Sequence, residues 1–181
     1  KEAVDYLFDK GITKGKTEEL FGTHQEITRG ELAIWLTRAL GLEEAALAAD
    51  PSGFADTAGT YYDGYVSVLK EEGILDGKSS AEFGVNDFLT RGQMAKLLSN
   101  AYDLVSEEEA PFTDKGQWAE YIDGLYAYGI TQGKTEDTFG SSEFIKRGDI
   151  AIFLFKADTL EEAPVEDTEA PVLSFDGETT I

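Results

Sequence analysis

The 181-residue chain has no cysteine, one histidine, one methionine and four prolines. Without thiols it can form no disulfide, thiolate metal site or cysteine nucleophile. Positive charge is scarce as well: 15 Lys and Arg stand against 36 Asp and Glu, a formal net charge of −21. Nucleic acid and anionic membrane both require a basic face that releases counterions, so neither is expected as a partner. No apolar run approaches the roughly 20 residues that cross a bilayer. The opening KEAVDYLFDKGI has no signal-peptide pattern, so an export signal is expected upstream of it. What is present is an ordinary apolar content of 41%, enough for a folded core. The acid excess therefore reads as a solvating surface suited to saline or alkaline surroundings, with calcium binding as the alternative.

The chain repeats itself three times. GITKGKTEELFG (11–22), GILDGKSSAEFG (73–84) and GITQGKTEDTFG (129–140) align without a gap, at offsets of 62 residues (11 to 73) and 56 residues (73 to 129). Each is followed by an Arg-Gly segment: ITRGELAIWLTRA from Ile27, LTRGQMAKLLSNA from Leu89 and IKRGDIAIFLFKA from Ile145. After each Arg-Gly the apolar positions Leu32, Trp35, Leu36, Ala39 match Met94, Leu97, Leu98, Ala101 and Ile150, Phe153, Leu154, Ala157, an i, i+3, i+4, i+7 stripe that predicts a helix. Upstream of the Gly block, Tyr62, Tyr65, Val66, Leu69 and Trp118, Tyr121, Ile122, Leu125 predict another, stopped by Gly73 and Gly129; the first unit keeps only its tail. The fold expected is mainly α, three helix-loop-helix units packed with pseudo-threefold symmetry around a central helical bundle, because neither stripe can be buried alone. The units fall at 1–48 (N-terminally truncated), 49–107 and 108–158; an acidic, Pro-containing linker is expected over 159–172 and the start of a truncated β domain over 173–181.

The Gly-Lys-Thr loops imitate a phosphate loop but lack its context. Three residues, not four, separate their glycines, and they follow a helix rather than a buried strand. Gly11, Gly15, Gly73, Gly77, Gly129 and Gly133 read instead as positive-φ turn residues, and Phe21, Phe83 and Phe139 as core plugs beneath the turns. Thr28-Arg29-Gly30-Glu31 and Thr90-Arg91-Gly92-Gln93 have the form of capping boxes, whereas Lys146-Arg147-Gly148-Asp149 lacks the capping hydroxyl. Capping leaves the arginines unexplained, since a cation in the first turn opposes the helix dipole by roughly 0.3–1 kcal/mol. Three at one place suggest an anionic partner, either an internal carboxylate or a ligand held by guanidinium, helix amides and dipole together. The glycine after each arginine costs about 1 kcal/mol of helix propensity and implies close approach of a ligand or a neighbouring loop. Eight of the fifteen basic residues (Lys14, Lys16, Arg29, Lys78, Arg91, Lys134, Lys146 and Arg147) lie in these loops or helix starts.

Residues 1 to about 158 resemble the S-layer homology (SLH) domain of Gram-positive bacilli. The resemblance rests on the Phe-x-Asp openings Phe54-Ala55-Asp56 and Phe112-Thr113-Asp114, the Gly-Ile-x-x-Gly loops and the Thr-Arg-x-Glu-like helix starts. It implies a secreted, extracellular module in the cell wall, anchoring an S-layer protein without catalysis or cofactor. Its partners would be a pyruvylated secondary cell-wall polysaccharide linked to peptidoglycan, bound in grooves between repeats, and other S-layer subunits through downstream domains. The family's arginine contact carries over to Arg29, Arg91 and Arg147. Gly30, Gly92 and Gly148 stand where alanine is common, Gln93 and Asp149 replace glutamate, and Lys146 replaces threonine. Lys14, Lys16, Lys78 and Lys134 would add positive field, and Tyr62 and Trp118 would stack on sugar or belong to the core. No metal ligand set is expected, since no segment has EF-hand spacing. The alternative function is an acidic, calcium-dependent self-assembly module. An enzyme is not indicated, because His24 lies in a loop without a nucleophile motif.

Overall fold

A computed structural model describes residues 1–160; the expected linker beyond that point and the β domain lie outside the described residues. Among those described, seven α-helices form and β-structure is limited to isolated bridges. The helices are α1 (Glu2–Asp9), α2 (Arg29–Ala39), α3 (Glu43–Leu47), α4 (Asp63–Glu71), α5 (Arg91–Tyr102), α6 (Ala119–Ala127, after a 3-10 turn at Gly116–Trp118) and α7 (Arg147–Asp158). The apolar stripes are the buried faces, with Leu32, Leu36, Met94, Ile150, Leu154, Leu69, Ile122 and Leu125 all fully buried. Capping boxes start α2 and α5: Thr28 accepts from the Glu31 amide while Glu31 accepts from the Thr28 amide, and Thr90 and Gln93 do the same. At α7, Lys146 supplies no side-chain cap.

The first helix of each repeat packs on the second helix of the repeat before it: α4 on α2, α6 on α5 and, closing the circle, α1 on α7. Neither stripe is therefore buried within its own repeat, and the three units form one core. The segments ahead of α2, α5 and α7 meet near the pseudo-threefold axis through antiparallel bridges pairing Glu26 with Lys146, Thr28 with Phe88 and Thr90 with Phe144. The closing contact carries a polar clasp, in which Tyr102 donates to Asp158 at 2.8 Å and Tyr6 donates to the other oxygen. Burial and the Asp158 carboxylate raise the Tyr6 hydroxyl to about 12. One clasp thus joins all three repeats.

The loop phenylalanines are the plugs expected: Phe83 and Phe139 are fully buried and Phe21 nearly so. Phe54 and Phe112 tilt against them at 5.8 and 5.9 Å. In the first repeat the partner of Phe21 is Phe8 of α1, edge-on at 6.2 Å. One expectation is corrected. Gly11, Gly15, Gly73, Gly129 and Gly133 do have positive φ, but Gly77 does not. Glycine is needed there for space, because a Cβ would lie 2.4 Å from the Phe54 ring.

Candidate functional site

Each arginine extends from its own repeat into the next. Arg29 Nε donates to the Phe83 carbonyl at 3.0 Å, Arg91 Nε to Phe139 at 2.8 Å and Arg147 Nε to Phe21 at 2.9 Å. The guanidiniums lie over the same rings at 4.6, 4.8 and 5.2 Å. All three are buried, and burial pushes each below its ordinary value while nearby carboxylates push it back up. Guanidinium stays charged at this depth. The arginines are therefore inter-repeat struts, an internal role that capping alone did not reveal.

The helix amides are not the free anion site the sequence suggested. Arg29 and Gly30 donate to the Asp87 and Val85 carbonyls at 2.9 and 3.0 Å, Arg91 and Gly92 to Glu143 and Ser141 at 2.8 and 2.9 Å, and Arg147 and Gly148 to Gln25 and Thr23 at 2.8 and 2.9 Å. The following amide is capped by Thr28 or Thr90. Neighbouring carbonyls already occupy the positive end of each dipole. The glycines answer to the same packing. A Cβ at Gly30 would lie 2.7 Å from Val85 and 2.9 Å from Tyr62, one at Gly92 would lie 2.2 Å from Trp118, and one at Gly148 would lie 2.4 Å from Thr23. Close approach is by a neighbouring repeat.

Arg29 and Arg147 each line an inter-repeat groove. The first, about 160 Å³, brings together Arg29 of repeat one, Asp76, Lys78, Gln93 and Lys96 of repeat two, and Trp118 of repeat three. The second, about 200 Å³, brings together Arg147, Lys14, Glu31, Arg38, Trp35 and Tyr61. Tyr61 rather than Tyr62 lines it, while Tyr62 packs on Gly30 as Trp118 does on Gly92. Lys16 pairs with Glu31 at 3.4 Å, Lys78 with Asp87 at 2.6 Å, and Lys134 with Glu143. His24 is exposed.

The grooves differ in how the arginine is neutralised. Arg147 lies 3.3 Å from the Glu31 carboxylate, and Arg91 lies 3.8 Å from Asp149. The corresponding residue opposite Arg29 is the neutral Gln93, and among the described residues no carboxylate comes within 4 Å of Arg29. Of its five N–H donors, Nε goes to the Phe83 carbonyl and one on Nη2 to the Asp76 carbonyl at 2.9 Å. The rest are left for the groove. Lys96 and Arg38 were missed in the sequence, although the signal was there: Lys96 lies three residues after Gln93, on the same helix face.

The Phe-x-Asp carboxylates shape the loops behind the grooves. Asp56 accepts from the amides of Phe83, Gly84 and Val85 at 2.8, 2.7 and 2.9 Å, and Asp114 from Phe139 and Gly140 at 2.8 and 2.7 Å. Burial pushes both carboxyls up, but these N–H groups together pull them below their ordinary value. The carbonyls of Phe83 and Phe139 are thereby held where Arg29 and Arg91 reach them. Among the described residues no group of three or more His, Asp or Glu is placed to hold a metal ion, and no helix is long and apolar enough to cross a membrane.

The sequence model of the S-layer homology domain matches residues 1–33, 53–95 and 111–151, one match per repeat. The chain belongs to the S-layer homology family. Among its relatives, the surface-layer 125 kDa protein of Lysinibacillus sphaericus is 34% identical over 139 residues, 74% of this chain and 12% of that protein. An S-layer protein of Bacillus thuringiensis subsp. finitimus is 28% identical over 179 residues, 93% of this chain and 22% of that one. An uncharacterized cell wall amidase of Bacillus anthracis is 29% identical over 164 residues, 87% of this chain and 30% of the amidase. The SLH chain thus spans less than a third of each of these relatives. Family and relatives place it at the cell surface, in the S-layer.

Proposed function

We propose that this SLH module anchors its parent protein to the cell wall by binding a pyruvylated secondary cell-wall polymer, with the Arg29 groove as the principal site. The observation that carries this reading is the Arg29 guanidinium, buried, without a carboxylate within 4 Å among the described residues, and lining a groove with Trp118 and with Lys78 and Lys96, which pair with Asp87 and Asp76 at 2.6 and 3.1 Å. A ketal pyruvate presents the carboxylate such a group accepts, and the bond is strengthened by the low local dielectric. Trp118 offers a ring face to the sugar. The net charge of −21 repels the polymer at long range, but beyond about 10 Å at 0.1 M salt that field is screened. The Arg147 groove, with Lys14 and Tyr61, is a weaker second site because Glu31 already occupies its arginine. Arg91 is contested in the same way, by Asp149 at 3.8 Å. The module is non-catalytic. Its recurrence in relatives named as S-layer proteins and in one named as a cell wall amidase supports a role useful to both, namely attachment.

Calorimetric titration of residues 1–181 with purified pyruvylated polymer, beside the same polymer stripped of pyruvate, tests the reading. Gln93→Glu sets a carboxylate opposite Arg29 while keeping the capping box, as Glu31 does at α2. It should weaken binding at least tenfold, equivalent to about 1.4 kcal/mol. Equal affinity for the two polymers, or no effect of Gln93→Glu, would contradict the proposal.

A further inference from the structure

We infer that the Arg29 groove continues into a second carbohydrate subsite, built on Phe88 and Phe144, which takes the neutral sugar next to the anionic one in the same glycan strand. This rests on the Arg29 reading above. Phe88 and Phe144 are 47% and 53% exposed, with ring centroids 6.0 Å apart and planes at 67°. Each immediately precedes an arginine motif, and the bridges to Thr28 and Thr90 fix both backbones. Both rings thus stand half-exposed on bridged backbone.

A cavity of about 490 Å³ lies against them, lined also by Arg29, Asn86, Gln93 and the Lys78–Asp87 ion pair. Arg29, Lys78 and Gln93 line the Arg29 groove as well, so the two spaces share a wall. At about 160 Å³ the groove falls below the ~300 Å³ at which ligand pockets begin. It can hold the charged sugar, and a strand leaving it past Lys78 and Gln93 runs onto the aromatic pair. A pyranose matches that surface, because its C–H face packs on a ring while its hydroxyl rim meets amides such as Asn86 and Gln93.

The pseudo-threefold relation isolates this path. The residue equivalent to Phe88 and Phe144 in the first repeat is Glu26, paired with Lys146 at 2.5 Å. By that relation the positions beside Arg91 are Phe144 and Glu26, and those beside Arg147 are Glu26 and Phe88. Among the described residues, Arg29 is the arginine whose neighbouring cavity carries both rings, with Asp87 on its wall held by Lys78. A second copy of the chain is a poorer occupant. Two half-exposed phenylalanines present roughly 200 Å² between them, against the ~800 Å² per partner of a stable interface.

The test titrates residues 1–181 with a pyruvylated amino-sugar monosaccharide and with a trisaccharide carrying the same pyruvylated unit. The wild-type chain should bind the trisaccharide about tenfold more tightly. Phe88→Ala with Phe144→Ala should abolish that gain and leave monosaccharide affinity unchanged, whereas Gln93→Glu should weaken both. Both rings are half exposed, so the double variant should keep its circular-dichroism spectrum and melting temperature. A tenfold gain that survives in the double variant would overturn the subsite and leave the Arg29 site standing. Wild-type chain that binds neither probe would overturn both. Concentration-dependent sedimentation that disappears in the double variant would overturn the subsite in favour of self-association.

Discussion

The Arg29 and Arg147 grooves are assembled from the same parts: an arginine from one repeat, a glycine loop and helix from the next, and an aromatic from the third. They differ most at the third residue of the following helix, Gln93 in one and Glu31 in the other. Both side chains close a capping box, so helix formation is indifferent to the choice. The arginine is not, because Glu31 lies 3.3 Å from Arg147 while, among the described residues, the neutral Gln93 leaves Arg29 without a carboxylate within 4 Å. A position that the fold leaves free is thus able to set the charge of a groove.

The largest effect expected from this contrast is on stability. Arg147→Ala removes a strut that is only 2% exposed, strands the Phe21 carbonyl and takes one cation from Glu31. It should cost about 3 kcal/mol in urea unfolding. Arg29→Ala, with no paired carboxylate, should cost less, about 2 kcal/mol, and yet damage polymer binding more. Equal stability losses would erase the distinction.

Gly92→Ala comes next. The added methyl meets Trp118 at 2.2 Å, and although alanine gains about 1 kcal/mol of helix propensity, overpacking should leave the variant about 1–2 kcal/mol less stable. Trp118 must shift, so its fluorescence maximum should move and the Arg29 groove should weaken. Gly148→Ala presses on Thr23 instead and should leave that groove intact.

Glu31→Gln reverses the comparison directly. It should cost only about 1 kcal/mol of stability, since the capping box survives, but free Arg147 and raise polymer stoichiometry from one toward two. An unchanged stoichiometry would mean that Glu31 does not guard the second groove.

The smallest effect concerns pH. The folded pKa values of Asp56 and Asp114 lie below the ordinary carboxylate value because loop amides bind the charged form. Their stabilisation is therefore fully present above the unfolded value near 3.9 and is lost as pH falls through the folded values beneath it. Asp56→Asn with Asp114→Asn should flatten acid unfolding below about pH 4 while leaving the Arg147 groove unaffected.

Local features were legible in the sequence. The stripes at 3.6-residue period, the two capping boxes and the phenylalanine plugs depend on neighbours a few residues apart, and the structure has them as expected. What one repeat cannot reveal is its dependence on another. The helix-start amides seemed available to a ligand because their acceptors, such as Asp87 and Val85 for α2, lie more than fifty residues away. The glycine after each arginine did signal close approach, but not whether ligand or protein would fill the gap. Tyr62 reads from the sequence as either a sugar contact or a core residue; it packs on Gly30, and Tyr61 beside it lines the groove.

The most direct test of the central claim is a crystal structure of residues 1–181 soaked with a pyruvylated disaccharide. A carboxylate is expected about 2.7–2.9 Å from the Arg29 guanidinium, between Lys78 and Trp118, with the second sugar toward Phe88 and Phe144. Ligand bound at Arg147 or Arg91 while the Arg29 groove stays empty would contradict it.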